Sequence, residues 1–448
     1  MLRKTLARFL GKMAAATVRR GGFTVVAVTG SVGKSTTKQM IGAVLGAETG
    51  ASGVRVTAKN YNNELGIPLT VFDEKAPGHS PTAWARLLWK ALVTGFGFRV
   101  PGIKTLVLEM GADHPGDLAY LCSIAPPNIS VITAITPEGA SLAPVHLANY
   151  PSIDAVAKEK ATLVERLSKK GTAILNADDP RVFDLRRMTE GHVILFGEND
   201  GADIRIVSTK VACREEDGKA VPYGLEVAVE GFNRQATIVV PGVFGRPMAY
   251  ALAAALGVAD ALDVHVNSVQ DALKGFSPLP GRTRIIPGIK HTTLFDDSYN
   301  ASPASVLSAV RDLAGVQLTV SQRRVACLGE MRELGEQSES MHRLVGSEAA
   351  KQGIDLLVAC GPFAKAMADG ALANGMKQEQ VQVFEDTPEA GRFLQNWIKP
   401  GDVVLAKASE GTIKSKGVRM ERVIKELMAE PQRAGELLCR QEEVWGRK

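Results

Sequence analysis

The residues best suited to chemistry lie in a glycine-containing stretch near the N-terminus, Val28-Thr-Gly-Ser-Val-Gly-Lys-Ser35. An apolar run precedes it and a helical pattern follows it, which is the context of a phosphate-binding loop. Backbone N–H groups and the helix dipole would face phosphate oxygens there, with Lys34 on the terminal phosphates and the Ser35 hydroxyl on Mg²⁺. Val28 occupies the position of the motif's first glycine, so the loop is a variant. We expect it to bind ATP or GTP rather than to be a structural turn.

Four further polar side chains follow later strands of the same pattern. Glu109 ends a predicted strand, at the edge where open parallel sheets bind ligands, and a carboxylate there suits Mg²⁺. A simple ion pair with a lysine is the alternative. His146 follows the next strand, where a lone histidine is more often a surface or core residue. Lys158 and Lys160 lie on the next helix, where a solvated face is the simplest interpretation.

Alternating strand and helix patterns predict an α/β protein. Short apolar runs over residues 23–30, 105–110, 129–135 and 172–176 predict a parallel sheet covered on both faces. Residues 203–242 read instead as a small antiparallel insert. The punctuated stretch 277–281 marks a boundary, after which the alternation restarts as a smaller Rossmann-like domain. We expect a basic N-terminal helix over 1–22, a central nucleotide-binding domain over 23–278 and a C-terminal domain over 281–448.

The positive charge of the chain is concentrated at its N-terminus. The formal net charge is +5, but residues 1–22 hold six basic residues and no acidic one, so the remainder is nearly neutral. A protein-wide nucleic-acid footprint is therefore excluded. The helical spacing of the apolar residues in 1–22 predicts either a cap helix packed on the first domain or a helix in weak contact with an anionic membrane surface. No apolar run is long enough to span a membrane, and five scattered cysteines are typical of a cytoplasmic protein.

The phosphate loop and five other segments occur in the order of one known family. The segments cover residues 59–70, 106–116, 295–303, 328–335 and 401–409. They resemble signatures of the Mur ligase family, which makes amide bonds in peptidoglycan precursors, and within it those of the D-alanyl-D-alanine-adding subgroup. The resemblance extends over about residues 23–428 and implies a central P-loop domain followed by a smaller C-terminal domain.

The resemblance implies roles for individual residues. Those implied to bind nucleotide are Gly30, Ser31, Val32, Gly33, Lys34, Ser35, Thr36, Arg282, Asp297, Tyr299 and Asn300. The implied metal ligands are Ser35, Glu109, His146 and Lys160, the lysine carrying a carbamate that makes it anionic. Lys34, His146, Lys160 and Arg282 are the implied catalytic residues. Asn60, Asn62, Asn63, Lys407 and Ser409 are implied to contact substrate.

The resemblance also implies a reaction. ATP with two Mg²⁺ would convert the carboxylate of UDP-MurNAc-tripeptide into an acyl phosphate, and the amine of D-alanyl-D-alanine would then displace the phosphate. The protein is expected to act as a cytoplasmic monomer. Three alternatives stay open. They are a ligase of the same superfamily with another acceptor, as in cyanophycin or folylpolyglutamate synthesis, a P-loop phosphotransferase or GTPase switch, and a ligase-like subunit that works only in a complex.

The chain departs from the subgroup in two places. Arg246 and Pro247 replace a His-Asn pair that holds adenine in the family, which leaves Tyr250 as a candidate to stack on the base. Only 22 residues precede the first strand, where the subgroup carries a UDP-sugar-binding domain. Residues 84–92 form a basic amphipathic helical pattern. They are interpreted either as core packing or as a substitute surface for the acceptor or for a membrane.

Overall fold

The computed structural model describes residues 2–49, 53–58, 61–135, 149–231, 234–264, 266–410, 418–442 and 445, which form two sheets flanked by helices. The first sheet has the strand order β2-β3-β1-β4-β5-β6-β7-β8-β9. Its strands are β1 (Thr24–Thr29), β2 (Val54–Val56), β3 (Thr105–Glu109), β4 (Ile129–Ile132), β5 (Thr172–Asn176), β6 (His192–Gly197), β7 (Ile204–Glu216), β8 (Lys219–Gly231) and β9 (Arg234–Pro241). The strands from β2 to β7 run parallel, as the alternating pattern predicts.

Helices cover both faces of this sheet. They are α1 (Leu2–Gly21), α2 (Lys34–Thr49), α3 (Gly66–Phe72), α4 (Pro81–Gly95), α5 (Asp117–Ile124), α6 (Ile153–Glu165), α7 (Pro180–Asp184), α8 (Arg246–Ala261) and α9 (Val266–Leu273). Successive residues of β1 point to opposite faces, so Val25 and Ala27 join one apolar core while Val26 and Val28 join the other. The parallel strands read as continuous apolar runs because both of their faces are buried.

The antiparallel strands lie at one edge of the first sheet. β7 pairs in parallel with β6 and antiparallel with β8, and β9 pairs antiparallel with β8. The small antiparallel insert predicted for residues 203–242 is confirmed. It continues the parallel part of the sheet, because β7 hydrogen-bonds directly to β6.

The second sheet is smaller and has the order β10-β11-β15-β12-β13-β14. Its strands are β10 (Arg284–Pro287), β11 (Thr293–Asp297), β12 (Arg324–Leu328), β13 (Leu356–Cys360), β14 (Val381–Phe384) and β15 (Val403–Lys407). Its helices are α10 (Pro303–Ala314), α11 (Ser338–Lys351), α12 (Ala364–Ala373), α13 (Thr387–Trp397), α14 (Met420–Leu427) and α15 (Ala434–Leu437). β10 is antiparallel to β11, and the other pairs are parallel. The Rossmann-like pattern is thus confirmed, with the addition of β10 at one edge.

Several contacts join the two halves, among them two that lie far apart in the sequence. At the first, the Phe244 N–H donates to the Thr283 carbonyl, and the Phe244 ring stacks on Phe295 with centroids 4.2 Å apart. At the second, Gln322 exchanges two hydrogen bonds with the backbone of Ala220 in β8. The long β7–β8 hairpin therefore rests against the second half of the molecule.

Helix α1 is a cap helix on the first half. Leu10, Ala14 and Val18 are buried against the core formed with α3, α4 and α5. Gly11 allows close approach to α5, because a Cβ there would lie 2.8 Å from the Tyr120 hydroxyl. The apolar face of α1 is therefore used inside the protein. Among the described helices, none is long and apolar enough to cross a membrane.

Candidate functional site

The phosphate-binding loop joins β1 to α2 and is fixed by the end of β4. Gly30 and Gly33 both have positive φ, at +151° and +81°. A Cβ on Gly30 would lie 2.0 Å from the Thr133 hydroxyl oxygen, so glycine is required there. That hydroxyl donates to the Val32 carbonyl at 2.5 Å, and the Ser31 N–H donates to the Ala134 carbonyl at 2.6 Å. The loop is preformed at the N-terminus of α2, where Ser35 and Thr36 lie in the first turn.

Two side chains of the loop fit a bound phosphate. Lys34 folds back over the loop, and its Nζ donates to the carbonyls of Gly30 at 2.8 Å and Ser31 at 3.3 Å. Desolvation lowers the pKa of Lys34 against the opposing effect of Glu109. The Ser31 hydroxyl is buried and has no hydrogen-bond partner among the described residues. An unpaired buried hydroxyl beside a positive helix end is suited to an anionic oxygen.

Glu109 ends β3. It contacts both α2, through Lys38, and the asparagine-rich segment that contains Asn62 and Asn63. Its Oε2 lies 2.7 Å from Nζ of Lys38, one helical turn beyond Lys34, and both side chains are buried. Asn62 donates to its Oε1 at 3.2 Å, and Ser35 also hydrogen-bonds to it. Desolvation would raise the pKa of Glu109, but Lys38 and Lys34 outweigh it and hold the pKa below its usual value. The carboxylate is therefore ionised, and it lies beside the Ser35 hydroxyl.

These oxygen atoms are of the kind that Mg²⁺ prefers. Glu109 pairs with a lysine, as the simpler interpretation predicts, and its carboxylate also lies beside the Ser35 hydroxyl. Within the described ranges no three His, Cys, Asp or Glu side chains are grouped to hold a metal. Ser35 and Glu109 therefore fit a Mg²⁺ that takes its other ligands from phosphates and water, which is its usual mode in nucleotide sites. His146, the further predicted ligand, lies outside the described residues.

Lys160 is buried next to the phosphate-binding loop, whereas Lys158 is exposed. Desolvation lowers the pKa of Lys160 to about 7, the charge of Lys34 adds to this, and Glu159 and Asp113 oppose it. The backbone on its N-terminal side is held firmly, because Glu159 accepts hydrogen bonds from the Gly116 and Leu118 N–H groups. The solvated-face interpretation therefore holds for Lys158 and was wrong for Lys160. A buried amine with this pKa has a substantial neutral, nucleophilic fraction near pH 7, which an ordinary lysine lacks.

The second half of the molecule brings Arg282 to the loop. Its guanidinium lies 4.2 Å from the centroid of the Tyr299 ring. Its charge contributes to lowering the pKa of both Lys34 and Lys38, after the larger effect of burial. Three cations therefore converge on one place, which is the arrangement that transferring phosphates require. Arg440, which sequence reasoning missed, donates to the carbonyls of Ser298 and Tyr299 and supports the turn that carries Tyr299.

The other predicted residues of the second half form an internal network. Lys407 is buried, and its Nζ lies 2.5 Å from Oδ2 of Asp297 and donates to the Asn300 carbonyl at 2.8 Å. The Ser409 hydroxyl donates to the Ala301 carbonyl and accepts from the Arg332 N–H. Lys407 and Ser409 thus hold the loop after β11 in place, and substrate contact would require Lys407 to exchange a partner.

Asn62 and Asn63, neighbours in the asparagine-rich segment, have different partners. Asn62 contacts the Glu109 carboxylate. The side-chain oxygen of Asn63 accepts from the Leu65 and Gly66 N–H groups and so stabilises the turn that precedes α3. Asn60 lies outside the described residues. The local sequence carried a signal for the Asn63 role, because asparagine side chains commonly hydrogen-bond the backbone two residues further on in such turns.

The region predicted to contact adenine has an ionic network of its own. Arg246 forms a two-pronged pair with Glu198, with both N–O distances 2.7 Å. The Tyr250 hydroxyl donates to Asp178 at 2.7 Å, and Arg246 lies 5.4 Å from the Tyr250 ring. Desolvation raises the pKa of Tyr250, and the bond to Asp178 adds to this. The Tyr250 hydroxyl is anchored, while its ring remains only partly buried.

Fold and site together define an ATP-dependent amide ligase, and comparison with known families agrees. The Mur ligase middle domain matches residues 28–84 and 91–259, and the Mur ligase glutamate ligase domain matches residues 281–410. The chain belongs to the Mur ligase family, as its motifs predict.

Within that family the chain is similar to UDP-N-acetylmuramoyl-tripeptide--D-alanyl-D-alanine ligases. The enzyme of Mycobacterium tuberculosis H37Rv is 30% identical over 417 residues, which cover 89% of this chain and 73% of the relative. That of Bacillus subtilis 168 is 27% identical over 432 residues, covering 94% and 79%. The structure of MurF ligase from Thermotoga maritima in complex with ADP has a TM-score of 0.70 at 24% identity and covers 96% of this chain and 84% of that one. This last likeness shows the shared fold.

Proposed function

We propose that this protein joins D-alanyl-D-alanine to UDP-N-acetylmuramoyl-tripeptide with hydrolysis of ATP, as a cytoplasmic step of peptidoglycan precursor synthesis. The observation that carries the proposal is the convergence of Lys34, Lys38 and Arg282 beside the Glu109 carboxylate. Relatives that share 27–30% of their residues with the chain over most of its length bear the name of this activity. Their substrates are the ones we assign to it.

The proposed reaction has two steps. A carboxylate oxygen of the tripeptide attacks the γ-phosphorus of ATP, ADP leaves, and an acyl phosphate forms. The amine of D-alanyl-D-alanine then attacks the acyl carbon, and inorganic phosphate leaves with the amide bond formed and the amine proton released. Lys34 and Arg282 would bind the γ-phosphate oxygens and offset the charge that develops on them. The Ser31 hydroxyl and the loop N–H groups would hold the β-phosphate.

The residues beside the loop would hold Mg²⁺. Ser35 and Glu109 supply oxygen ligands for one ion, and bound Mg²⁺ would offset negative charge on the phosphates. Lys160 is the residue we propose to be carbamylated, because a neutral buried amine can attack CO₂ and the resulting anion would bind a second ion with His146. The site of the peptide and its amine partner is assigned to Asn60, Asn62 and Asn63, together with Lys407 and Ser409. The nucleotide contacts we propose in the second half are Arg282, Asp297, Tyr299 and Asn300. The enzyme is proposed to act as a monomer.

A phosphate-release assay tests the proposal. The purified protein with ATP and Mg²⁺ is expected to release phosphate only when UDP-MurNAc-tripeptide and D-alanyl-D-alanine are both present. A K34A variant serves as the background control in every arm. Release with glutamate as the amine, or with a folate or polypeptide acceptor but not with the muropeptide, would contradict the substrate assignment and leave the ligase class intact. ATP hydrolysis without any amine would indicate a phosphotransferase or switch instead.

A further inference from the structure

A group of apolar side chains protrudes from the end of α4 and the loop that follows it. Trp89 is 70% exposed, Phe96 60%, Phe98 84% and Val100 48%. Three of these lie within five residues of one another, between Gly95 and Pro101. Trp84, on the same helix, is instead packed against the core. Exposed single apolar residues are normal, but several large ones together on a surface mark a binding site.

The same surface is strongly basic. Residues 1–22 and 75–104 hold eleven Lys and Arg residues and no Asp or Glu, although the whole chain has a net charge of only +5. The two segments are adjacent in space, because the Thr17 hydroxyl donates to that of Thr94, and a Cβ on Gly95 would lie 2.8 Å from the Met13 sulfur. The Arg20 side chain reaches Gly97, between the two exposed phenylalanines. We call Trp89, Phe96, Phe98 and Val100, with Arg20 and Arg99, the aromatic–basic surface.

Nearby acids do not neutralise this surface. Glu74 pairs with Arg86 and Lys90 on the adjacent side of α4. Arg20 and Arg99 are exposed and form no ion pair with a described residue. Cations therefore flank the exposed apolar side chains, with their own charge available to an external anion.

We propose that the aromatic–basic surface docks the enzyme reversibly on an anionic lipid bilayer. Trp and Phe side chains partition into the headgroup region, and Lys and Arg beside them are attracted to anionic lipid. Helix α1 contributes charge only, because its apolar face is buried in the protein. The membrane contact would thus be made through α4 and its loop. It would not be made through the apolar face of residues 1–22, which the sequence alone left open.

Other occupants fit the surface less well. A second copy of the chain would bring the same positive charge face to face, which disfavours self-association. A nucleic acid would pair with the cationic side chains and could stack on the aromatic rings, but it would leave the exposed aliphatic Val100 without a partner. The bilayer uses both the aliphatic and the cationic side chains, and the inference does not depend on which acceptor the ligase uses.

Vesicle sedimentation with the full-length protein tests the proposal. We expect binding to vesicles of phosphatidylcholine with phosphatidylglycerol, little binding to phosphatidylcholine alone, and release at high salt. The double variant Phe98→Ser and Val100→Ser should lower partitioning about tenfold or more, because apolar side chains no longer enter the bilayer. Arg20→Glu with Arg99→Glu should remove the preference for anionic lipid.

Matched controls keep the result specific. Val320 and Lys365 are also exposed but lie in the second half, so Val320→Ser with Lys365→Glu should bind vesicles as the parent does. All variants should retain the parental melting temperature and phosphate release with soluble substrates. Three outcomes would overturn the proposal. They are equal loss in the controls, no preference for anionic vesicles, and a dimer or an oligonucleotide complex that the Phe98→Ser and Val100→Ser variant abolishes while vesicle binding is absent.

Discussion

At the scale of single residues, the site is dominated by lysines whose surroundings set their charge. Lys34 and Lys160 are both desolvated beside the phosphate-binding loop, and the charge of Lys34 lowers the pKa of Lys160 further. Lys38 is also desolvated but retains a carboxylate partner in Glu109. Burial therefore lowers the pKa of Lys160 to about 7, whereas the equally buried Lys38 stays in an ion pair with Glu109.

Lys160→Ala is expected to lower kcat by at least about 100-fold, because a ligand position is lost. Acetate or another short carboxylic acid should restore part of the activity by occupying the space of the proposed carbamate. The exposed Lys158→Ala variant is the control and should behave as the parent. Rates are measured by phosphate release, and an unchanged rate for Lys160→Ala would exclude the carbamate.

Lys38→Met is expected to destabilise the protein by about 3–5 kcal/mol, because it leaves the Glu109 carboxylate buried without its cation. Mg²⁺ should then raise the melting temperature of the variant more than that of the parent, since the ion can neutralise the same carboxylate. The partly buried pair between Lys90 and Glu74 gives the control, because Arg86 still pairs with Glu74 after the change, and Lys90→Met should cost under about 1 kcal/mol. Equal responses to Mg²⁺ in parent and variant would contradict a metal position at Glu109.

Asp296 provides a pH-dependent test. It is fully buried, accepts from the Gly281 and Ser298 N–H groups, and desolvation raises its pKa to about 6. An acid whose pKa is raised on folding stabilises the folded state below its unfolded pKa and loses that effect as pH rises through the folded pKa. Between about pH 4 and 6.5 the parent should lose about 2 kcal/mol relative to Asp296→Asn. Parallel pH profiles of unfolding for the two proteins would contradict this.

At the scale of elements, close packing depends on glycines that no local pattern singles out. Helices α11 and α12 cross so closely that a Cβ on Gly346 would lie 1.8 Å from the Met367 carbonyl oxygen. Gly370 makes the reciprocal approach to the Arg343 carbonyl. The small residues set the distance between the two helices and with it the position of β13 beneath them.

Gly346→Ala is therefore expected to destabilise the second half by about 1–3 kcal/mol through overpacking. Gly46 in α2 has open space around its Cβ position, so Gly46→Ala should instead stabilise by about 0.5–1 kcal/mol. If the helix crossing is responsible, denaturant unfolding should show a lower free energy of unfolding for Gly346→Ala and a higher one for Gly46→Ala.

How much of the fold and site the sequence predicts depends on how far apart in the chain the interacting residues lie. The phosphate-binding loop and the acid at the end of β3 were predictable, because strand, turn and helix periodicity are local. The pairing of Lys38 with Glu109 was missed, although Lys38 lies one turn after Lys34 on the same helix face and could have been inferred from that spacing. The contacts of Arg440 with Tyr299 join positions 141 residues apart, and nothing local indicates them. From the sequence, only the family resemblance distinguishes Lys160 from Lys158. The structure distinguishes them directly, because Lys160 is buried and Lys158 is exposed.

At the scale of the whole molecule, the second half brings Arg282 close to the phosphate-binding loop of the first, and we propose that catalysis depends on this approach. Arg282→Lys keeps the charge but loses the planar fork that can hold two phosphate oxygens. We expect kcat to fall about 100-fold with nucleotide affinity changed only a few-fold, because Lys34 and the loop still bind ATP. Calorimetry with ADP and steady-state rates separate the two effects, and a parallel loss of affinity and rate would place Arg282 in ground-state binding instead.

The two separate contacts between the halves constrain how they can turn against each other. One joins Phe244 to Thr283 and Phe295, and the other joins Gln322 to the tip of the β7–β8 hairpin. Neighbouring hydrogen bonds, from the Ile285 N–H to the Gly242 carbonyl and from the Arg246 N–H to Asp312, add to the first contact. Arg282 is the sequence neighbour of Thr283, so it lies beside this more heavily bonded contact. A turn of one half against the other would therefore displace Arg282 less than residues far from both contacts.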